Sequence, residues 1–174
     1  MAQIIKPSAY ANSIAITMGL ASLASTTADP PAGRESNEVD NSSNLYEDAH
    51  VYAEIKGGTT PTVNTVGNLY AWAADYDGTT VKRPAGITGA DANLTPTSAG
   101  AHLTHFGLLW SFIFNATTGT VYKRGGLSVC RALGLLHLPI RWGLFFHHNS
   151  VAALDATAGN HIIRYTPVNR QITP

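Results

Sequence analysis

Apolar and polar residues alternate with a period of two in several short segments of the chain, and clusters of Gly, Pro, Asn, Asp and Thr separate these segments. In the clearest one, residues 49–55, Val51 and Ile55 fall on one side while Tyr52 and Glu54 fall on the other. This alternation is typical of a half-buried β-strand. Further strands are predicted at residues 69–74, 105–114, 120–124, 128–138, 142–148 and 161–165. Such strands, with turn signals between them, predict an all-β sandwich of the jelly-roll type.

Glycine, proline and other turn-forming residues determine the secondary structure predicted for the less regular segments. A strand is favoured at residues 128–138 because Gly134 and Pro139 weaken a helix, although a short helix is also consistent with the apolar run. Asp77-Gly78 predicts a tight turn. Residues 26–48 and 84–101 are rich in turn formers, so both stretches are expected to be long surface loops.

The most apolar strand candidate, residues 105–114, carries large apolar side chains on both faces. One face is predicted to hold Phe106, Leu108, Trp110, Phe112 and Phe114, and the other holds Leu109 and Ile113. A strand that is apolar on both faces is either a central core strand or a strand covered by a partner subunit. The five residues of the first face are therefore both core candidates and interface candidates.

The first 25 residues differ from the rest of the chain. Lys6 followed by the small apolar residues 13–24 is loosely similar to a secretory signal, but Pro7 and Thr17 dilute the run and only one positive charge precedes it. We interpret residues 1–25 as an N-terminal arm or a first strand, and residues 26–174 as the β-sandwich domain. The arm is expected to lie across a neighbouring subunit.

Charge is sparse and balanced. Charged residues make up 13% of the chain, and 11 basic residues offset 11 acidic ones, for a formal net charge of zero. This lacks the basic excess of nucleic-acid-binding proteins, and no segment is apolar enough to span a membrane. A neutral surface of low charge suits a chain that partners cover, so a homo-oligomer is expected, with a trimer favoured.

No catalytic or metal-binding motif is present, so the chain is interpreted as a non-enzyme without a cofactor. Adjacent His147 and His148 point to opposite faces of a strand, and so do His102 and His105 if they lie in one. Asp75 and Asp77 flank a turn that has no further calcium ligands. The carboxylates of residues 35, 38, 47 and 48 are expected in exposed loops, and Cys130, the only cysteine, is interpreted as a small buried apolar residue.

Two stretches resemble structural proteins of tailed bacteriophages. The first is a G-R-x-S-x-x-V-D-N run at residues 33–41, followed by Asn44-Leu45-Tyr46 before the strand at 49–55; the second comprises Leu138-Pro139, Trp142, Asn149 and Ala153-Leu154. The resemblance implies a virion component that is assembled in the cytoplasm of the bacterial host, either a capsid decoration (cement) protein or a tail or neck component. It implies other virion proteins as partners, the major capsid protein first, and it supplies no catalytic residues. Within the first stretch, Arg34 and Asp40 are expected to form an ion pair that closes the loop.

Two other function classes remain open. A carbohydrate-binding module could use Trp72, Tyr70 and Tyr76 as a stacking platform. A glycoside hydrolase could use two acids that lie far apart in the sequence.

Overall fold

The computed structural model describes residues 4–7 and 12–173 of the chain, with side chains described for residues 12–169. Thirteen strands and two short helices are formed in this part of the chain. They are β1 (Ile4–Pro7), β2 (Ile14–Ala15), β3 (Gly33–Glu35), β4 (Val39–Asp40), β5 (Asp48–Lys56), β6 (Val66–Tyr76), β7 (Val81–Lys82), β8 (Ala92–Leu94), α1 (Ala101–His105), β9 (Phe106–Ile113), β10 (Val121–Ser128), α2 (Val129–Leu133), β11 (Arg141–His148), β12 (Ile162–Val168) and β13 (Arg170–Thr173), with a 3-10 turn at Ala158–Asn160.

The long strands pair in a nested, antiparallel order. β2 pairs with β12, β3 with β11, β5 with β10 and β6 with β9. The first sheet therefore has the order β2-β12-β5-β10, and the second has β3-β11-β6-β9, extended by β4, β7 and β8. This is the strand order of a jelly roll, in which a long hairpin is rolled into two facing sheets. The predicted all-β sandwich is confirmed.

The apolar residues that alternate with polar ones in the sequence form the main core between the two sheets. The inward side chains of β5 at residues 49, 51, 53 and 55 have no exposed surface, whereas the outward ones stay partly exposed. From the second sheet, Leu69, Trp142 and Leu144 meet them. The predicted strands at 49–55, 69–74 and 142–148 lie within β5, β6 and β11, and the strand predicted at 161–165 overlaps β12 from Ile162 onward.

A second apolar core covers the outer face of the second sheet. Tyr70, Trp72 and Phe145 point outward from β6 and β11, and Ile87 and Leu94 from the β6–β9 connection pack on them. Residues 84–101, predicted to be a surface loop, thus form a lid that contains β8. Because β6 and β11 are covered on both faces, their sequences are apolar at nearly every position.

A bulge in β9 changes which residues share a face. Tyr70 pairs with Leu108 and Leu69 pairs with Trp110, so Leu109 has no partner in β6. The extra residue reverses the inward and outward positions along β9. Phe106 consequently packs in the second core, Trp110, Phe112 and Phe114 pack in the main core, and Leu108 is 52% exposed. The prediction that these five residues form one face is wrong.

The segment at residues 128–138 is the clearest departure from the predicted strands. β10 ends at Ser128, whose hydroxyl accepts a hydrogen bond from the backbone N–H of Arg131 and so caps α2. Gly134 ends the helix in the left-handed conformation, with φ of 68°. The helix alternative, not the favoured strand, is therefore the one adopted. Residues 101–105 are also helical, as α1.

Residues 26–48 are less exposed than a surface loop. They contain β3 and β4, which lie along one edge of β11, and both Glu35, the last residue of β3, and Ser36 after it are fully buried. A Cβ atom at Gly33 would lie 2.3 Å from the carbonyl oxygen of Phe146, so only glycine permits this close pairing.

Most of the described N-terminal segment packs into the same β-sandwich as the rest of the chain. β2 pairs with β12, and Ile16, Met18, Leu20 and Leu23 pack in the main core. The expectation that residues 1–25 lie across a neighbouring subunit is wrong for residues 14–23, because the apolar side chains of this segment are buried against their own chain. β1 pairs with β13, so residues 4–7 and 170–173 lie side by side. Residues 1–3 and 8–11 lie outside the described residues.

Candidate interaction surface

The ion pair predicted between Arg34 and Asp40 is replaced by two other pairs. The Nε atom of Arg34 lies 2.6 Å from an Oδ1 atom of Asp91, and the same guanidinium also bonds Asn93 and the carbonyl of Asp91. An Oδ2 atom of Asp40 lies 2.9 Å from Arg141 on β11. β3 and β4 are separate pieces of strand that pair with opposite ends of β11, and β3 also pairs with β8, so the two predicted partners face different parts of the fold. Arg34 ties β3 to the lid over the second core.

Other residues of the phage-like stretches also have structural roles. The side-chain amide of Asn41 donates to the carbonyl of Tyr46 at 3.0 Å and accepts from its N–H at 2.8 Å, which closes the turn before β5. Asn149 accepts a hydrogen bond from the N–H of Val66, while Leu138, Trp142 and Leu154 are buried. These residues hold the scaffold together and form no site.

Several carboxylates are buried or partly buried, contrary to the expectation of exposed loops. Glu35 accepts hydrogen bonds from the N–H and hydroxyl of Thr88 and from the N–H of Gly89. Burial opposes ionisation of Asp48, but hydrogen bonds from Ser128, Cys130 and Ala49 outweigh it and lower the pKa of Asp48. Each of these carboxylates bonds groups of another segment of the chain, and no two of them line a shared space.

His147 and His148 lie on opposite faces of β11. His148 points into the main core, where its ring lies 2.8 Å from the hydroxyl of Ser150 and 3.1 Å from the carbonyl of Leu23. His147 points to the outer face, stacks on Tyr70 with a centroid distance of 5.8 Å and lies edge-on to His102. The predicted opposite orientation of His147 and His148 is confirmed. His102 and His105 lie in α1, not in a strand, and differ in that His102 is buried.

An acidic side chain, Asp29, lies beside the His102–His147 pair, and its Oδ1 atom is 4.0 Å from Nδ1 of His102. Burial, then the neighbouring His102 and His148, lower the pKa of His147 to about 4, and burial also lowers the pKa of His102. Neither ring nitrogen of His147 has a hydrogen-bond partner. Within residues 12–169, no group of three or more His, Cys, Asp or Glu side chains is placed to hold a metal ion.

Asp77 acts as the turn residue that the sequence indicated. Its Oδ1 atom accepts hydrogen bonds from the backbone N–H groups of Thr79 and Thr80, and β6 and β7 pair on either side. Asp75 lies in the β6 half of this hairpin. The hairpin is confirmed, and the absence of catalytic and metal-binding roles for these histidines and aspartates stays a prediction.

The aromatic platform predicted for a carbohydrate ligand is not formed. Trp72 is fully buried and Tyr70 is 5% exposed, both beneath the lid, while Tyr76 is the one accessible member at 43%. The other two tryptophans, Trp110 and Trp142, are buried in the main core as well. A sugar ring therefore cannot stack on Tyr70 or Trp72, and Tyr76 alone does not form a platform.

An open cleft lies where the edges of the two sheets diverge. We call it the edge cleft; it has a volume of about 570 Å³ and is lined by Leu108, Leu109, Arg124, Gly125, Gly126, Leu127, Ser128, Arg131 and Ala132. β9 and β10 form its sides, and α2 lies across one end. A Cβ atom at Gly107 would fall 2.1 Å from the carbonyl oxygen of Ala132, so glycine permits α2 to pack against β9.

Exposed apolar side chains cluster in the loops at the end of the sandwich where β11 begins. Leu136 is 92% exposed, and Leu45, Leu135 and Ile140 are also exposed. Leu45 and Ile140 line one shallow depression together with Tyr46 and Leu138. We call these four exposed residues, at positions 45, 135, 136 and 140, the leucine end. Sequence reasoning missed both this end and the edge cleft, although Leu135-Leu136 after Gly134 and the Gly125-Gly126 pair are visible signals for them.

No helix in the part of the chain that the structure describes is long and apolar enough to cross a membrane. Comparisons with protein-family models, with curated proteins and with solved structures found no match to this chain.

Proposed function

We propose that this chain is a structural protein of a bacteriophage particle that binds and stabilises the capsid shell as a decoration protein. The observation that carries the proposal is the nested pairing of β2 with β12, β3 with β11, β5 with β10 and β6 with β9. Viral capsid proteins, lectins and cupins use this jelly-roll architecture. Among these classes, the phage-like stretches at residues 33–46 and 138–154 favour the virion.

The surface supports a building role in two ways. First, a formal net charge of zero with 13% charged residues leaves little electrostatic repulsion between copies. Second, the leucine end exposes four large apolar side chains, of which Leu135 and Leu136 are adjacent in sequence while Leu45 and Ile140 line one depression. Exposed apolar patches are typical of surfaces that another protein covers. A homo-oligomer, with a trimer favoured, and contact with the major capsid protein are part of this proposal.

The other function classes have less support. A lectin-like role is compatible with the jelly roll, but Tyr70 and Trp72 are buried. A hydrolase needs two acids across a shared space, and Glu35, the fully buried carboxylate, is instead bonded to the lid. A tail or neck component of the same particle uses the same scaffold and differs in copy number.

The test is quantitative mass spectrometry of purified phage particles from lysates of the host in which this chain is expressed. Hundreds of copies per particle are the expected result for a decoration protein. A dozen copies or fewer would indicate the tail or neck instead. Absence of the chain from purified particles would overturn the proposal.

A further inference from the structure

We propose that the edge cleft binds an extended, acidic segment of a partner protein, which adds as a strand beside β10 and places its carboxylates on Arg124 and Arg131. This inference deepens the proposed function and rests on it for the source of the segment, a neighbouring protein of the particle. The chemistry of the site, by contrast, follows from the cleft itself.

Both sides of the cleft are unpaired strand edges. Among the described residues, β9 pairs only with β6 and β10 pairs only with β5. The two strands approach each other near the turn that joins them, where the rings of Phe112 and Tyr122 stack at a centroid distance of 4.6 Å. They diverge toward Leu108 and Leu127. An unpaired edge presents backbone N–H and C=O groups that an extended segment can pair with.

The cleft carries positive charge without a counter-charge. Arg124 and Arg131 are both exposed, and neither has a carboxylate oxygen within 4.0 Å among the described residues. None of the residues that line the cleft is acidic. By comparison, Arg34, Arg83 and Arg141 each contact a carboxylate. Guanidinium groups bind carboxylates through paired hydrogen bonds, so a carboxylate is the anion that matches these two side chains.

The pairing of Arg124 within its sheet places the Arg124 side chain on the side of the cleft. Arg124 pairs with Ala53, whose side chain is fully buried between the sheets, so the two residues lie on the same, inward face. Lys123, the next residue, pairs with Glu54 on the outward face. The sequence thus places one cation in the cleft and its neighbour outside it, which gives a matched control.

The backbone of the cleft is irregular on both sides. The register of β10 against β5 shifts between Arg124 and Leu127, at Gly125 and Gly126, and the bulge at Leu109 lies across from it in β9. Gly126 has φ of 71°, which favours glycine. The two glycines leave the backbone of β10 uncovered, and bulges of this kind are frequent beside binding sites.

Leu109 and Leu127, which pack in or against the main core, give the cleft an apolar component beside the two cations. A strand presents alternate side chains to opposite sides, so a segment with alternating acidic and apolar residues satisfies the guanidinium groups and the leucines together. A nucleic acid fits less well, because it offers phosphates but no aliphatic side chains for Leu109. An extended polypeptide is therefore the occupant that matches the whole cleft.

The experiment measures fluorescence anisotropy of a labelled octapeptide of alternating aspartate and valine, titrated with the full-length protein. We expect saturable binding that weakens as salt rises. Arg124→Ala combined with Arg131→Ala should weaken it at least tenfold, and Lys123→Ala should change it less than twofold. Amide NMR shifts at Gly125 and Gly126 should follow the same titration. A melting curve for each variant verifies that it is folded.

Several outcomes would overturn the inference. These are no binding by the native protein, equal losses in Lys123→Ala and Arg124→Ala, or equal binding of an oligothymidine of the same length. Aggregation of Arg124→Ala without loss of peptide binding would also overturn it, since the arginine would then only block the edge. If the chain is found in particles but the peptide does not bind, the cleft inference alone fails. If the peptide binds but particles lack the chain, the proposed function alone fails.

Discussion

The hydroxyl of Thr88 donates a 2.6 Å hydrogen bond to the fully buried carboxylate of Glu35, and this contact fastens the lid to β3. The backbone N–H groups of Thr88 and Gly89 donate to the same carboxylate. A buried charge is stable only when such donors surround it. Glu35 is therefore one of the contacts that hold the lid over the second core, together with the Arg34–Asp91 ion pair and the pairing of β3 with β8.

Replacing Glu35 by Ala should destabilise the fold by about 3 kcal/mol or more, because it leaves buried N–H groups without an acceptor. Urea unfolding followed by circular dichroism measures the change. Glu54→Ala, on the outward face of β5 where its carboxylate bonds the hydroxyl of Tyr52, is the control and should cost less than about 1 kcal/mol. Equal effects of the two substitutions would contradict the assigned role of Glu35.

Trp110→Ala and Phe112→Ala should each lower the free energy of unfolding by about 3–5 kcal/mol, through lost apolar burial and the cavity that remains. Both side chains are buried, and their rings lie 4.5 Å apart between centroids. Leu108→Ala on the same strand should cost less than about 1 kcal/mol, because Leu108 is 52% exposed. A large loss at Leu108 in the isolated protein would show that the bulge is placed wrongly.

Stability should fall as the pH drops from about 6.5 to about 4, because burial holds the pKa of His147 at about 4 in the folded chain. In this window the unfolded chain takes up a proton that the folded chain does not, so each such site lowers the free energy of unfolding by about 1.4 kcal/mol per pH unit. Burial lowers the pKa of His148 too, in the same direction.

Chemical unfolding at a series of pH values tests this. His147→Phe should flatten the pH dependence between pH 4 and 6.5, and His105→Ala, an exposed position on α1, should leave it unchanged. An unchanged slope in His147→Phe would show that other groups cause the loss of stability.

Cys130 should resist thiol reagents in the folded protein. Burial, and then the hydrogen bond and charge of Asp48, raise the pKa of the thiol to about 12, and its Sγ atom lies 3.2 Å from the carbonyl of Glu47. The thiolate is the reactive form, so reaction at pH 8 should proceed only when the chain unfolds. Rapid labelling with Ellman's reagent under native conditions would contradict the burial of this side chain.

The leucine end should mediate self-association. Multi-angle light scattering of the isolated protein at micromolar concentration is expected to give an oligomer, with the mass of a trimer favoured. Replacing Leu135 and Leu136 by Asp should shift it toward monomer, because charge would have to be buried in the contact. Val151→Asp, at a 73% exposed position beyond the other end of β11, should not. A native monomer would count against assembly through this surface.

The sequence by itself determined several of the long strands, at residues 49–55, 69–74 and 142–148, and the inward face of the first of them. The period-two pattern of residues 49–55 placed the right side chains in the main core, because a half-buried strand must alternate wherever one face meets water. The Asp77-Gly78 turn and the opposite orientation of His147 and His148 followed from equally local geometry. Jelly-roll architecture was indicated by the number and spacing of the strands.

The tertiary structure decided which strands pair, and with them every contact that is distant along the chain. Arg34 binds Asp91 instead of Asp40 because β3 lies beside β8, a neighbour that no local pattern specifies. The second core buries Tyr70 and Trp72 because the lid folds over a face that the sequence left open. The bulge at Leu109 is a further example. One unpaired residue reverses which side chains of β9 point inward, and its position depends on the register of β9 with β6. Local alternation of apolar and polar residues indicates which side chains are buried, whereas the long-range pairing of strands decides which elements cover each face of a sheet.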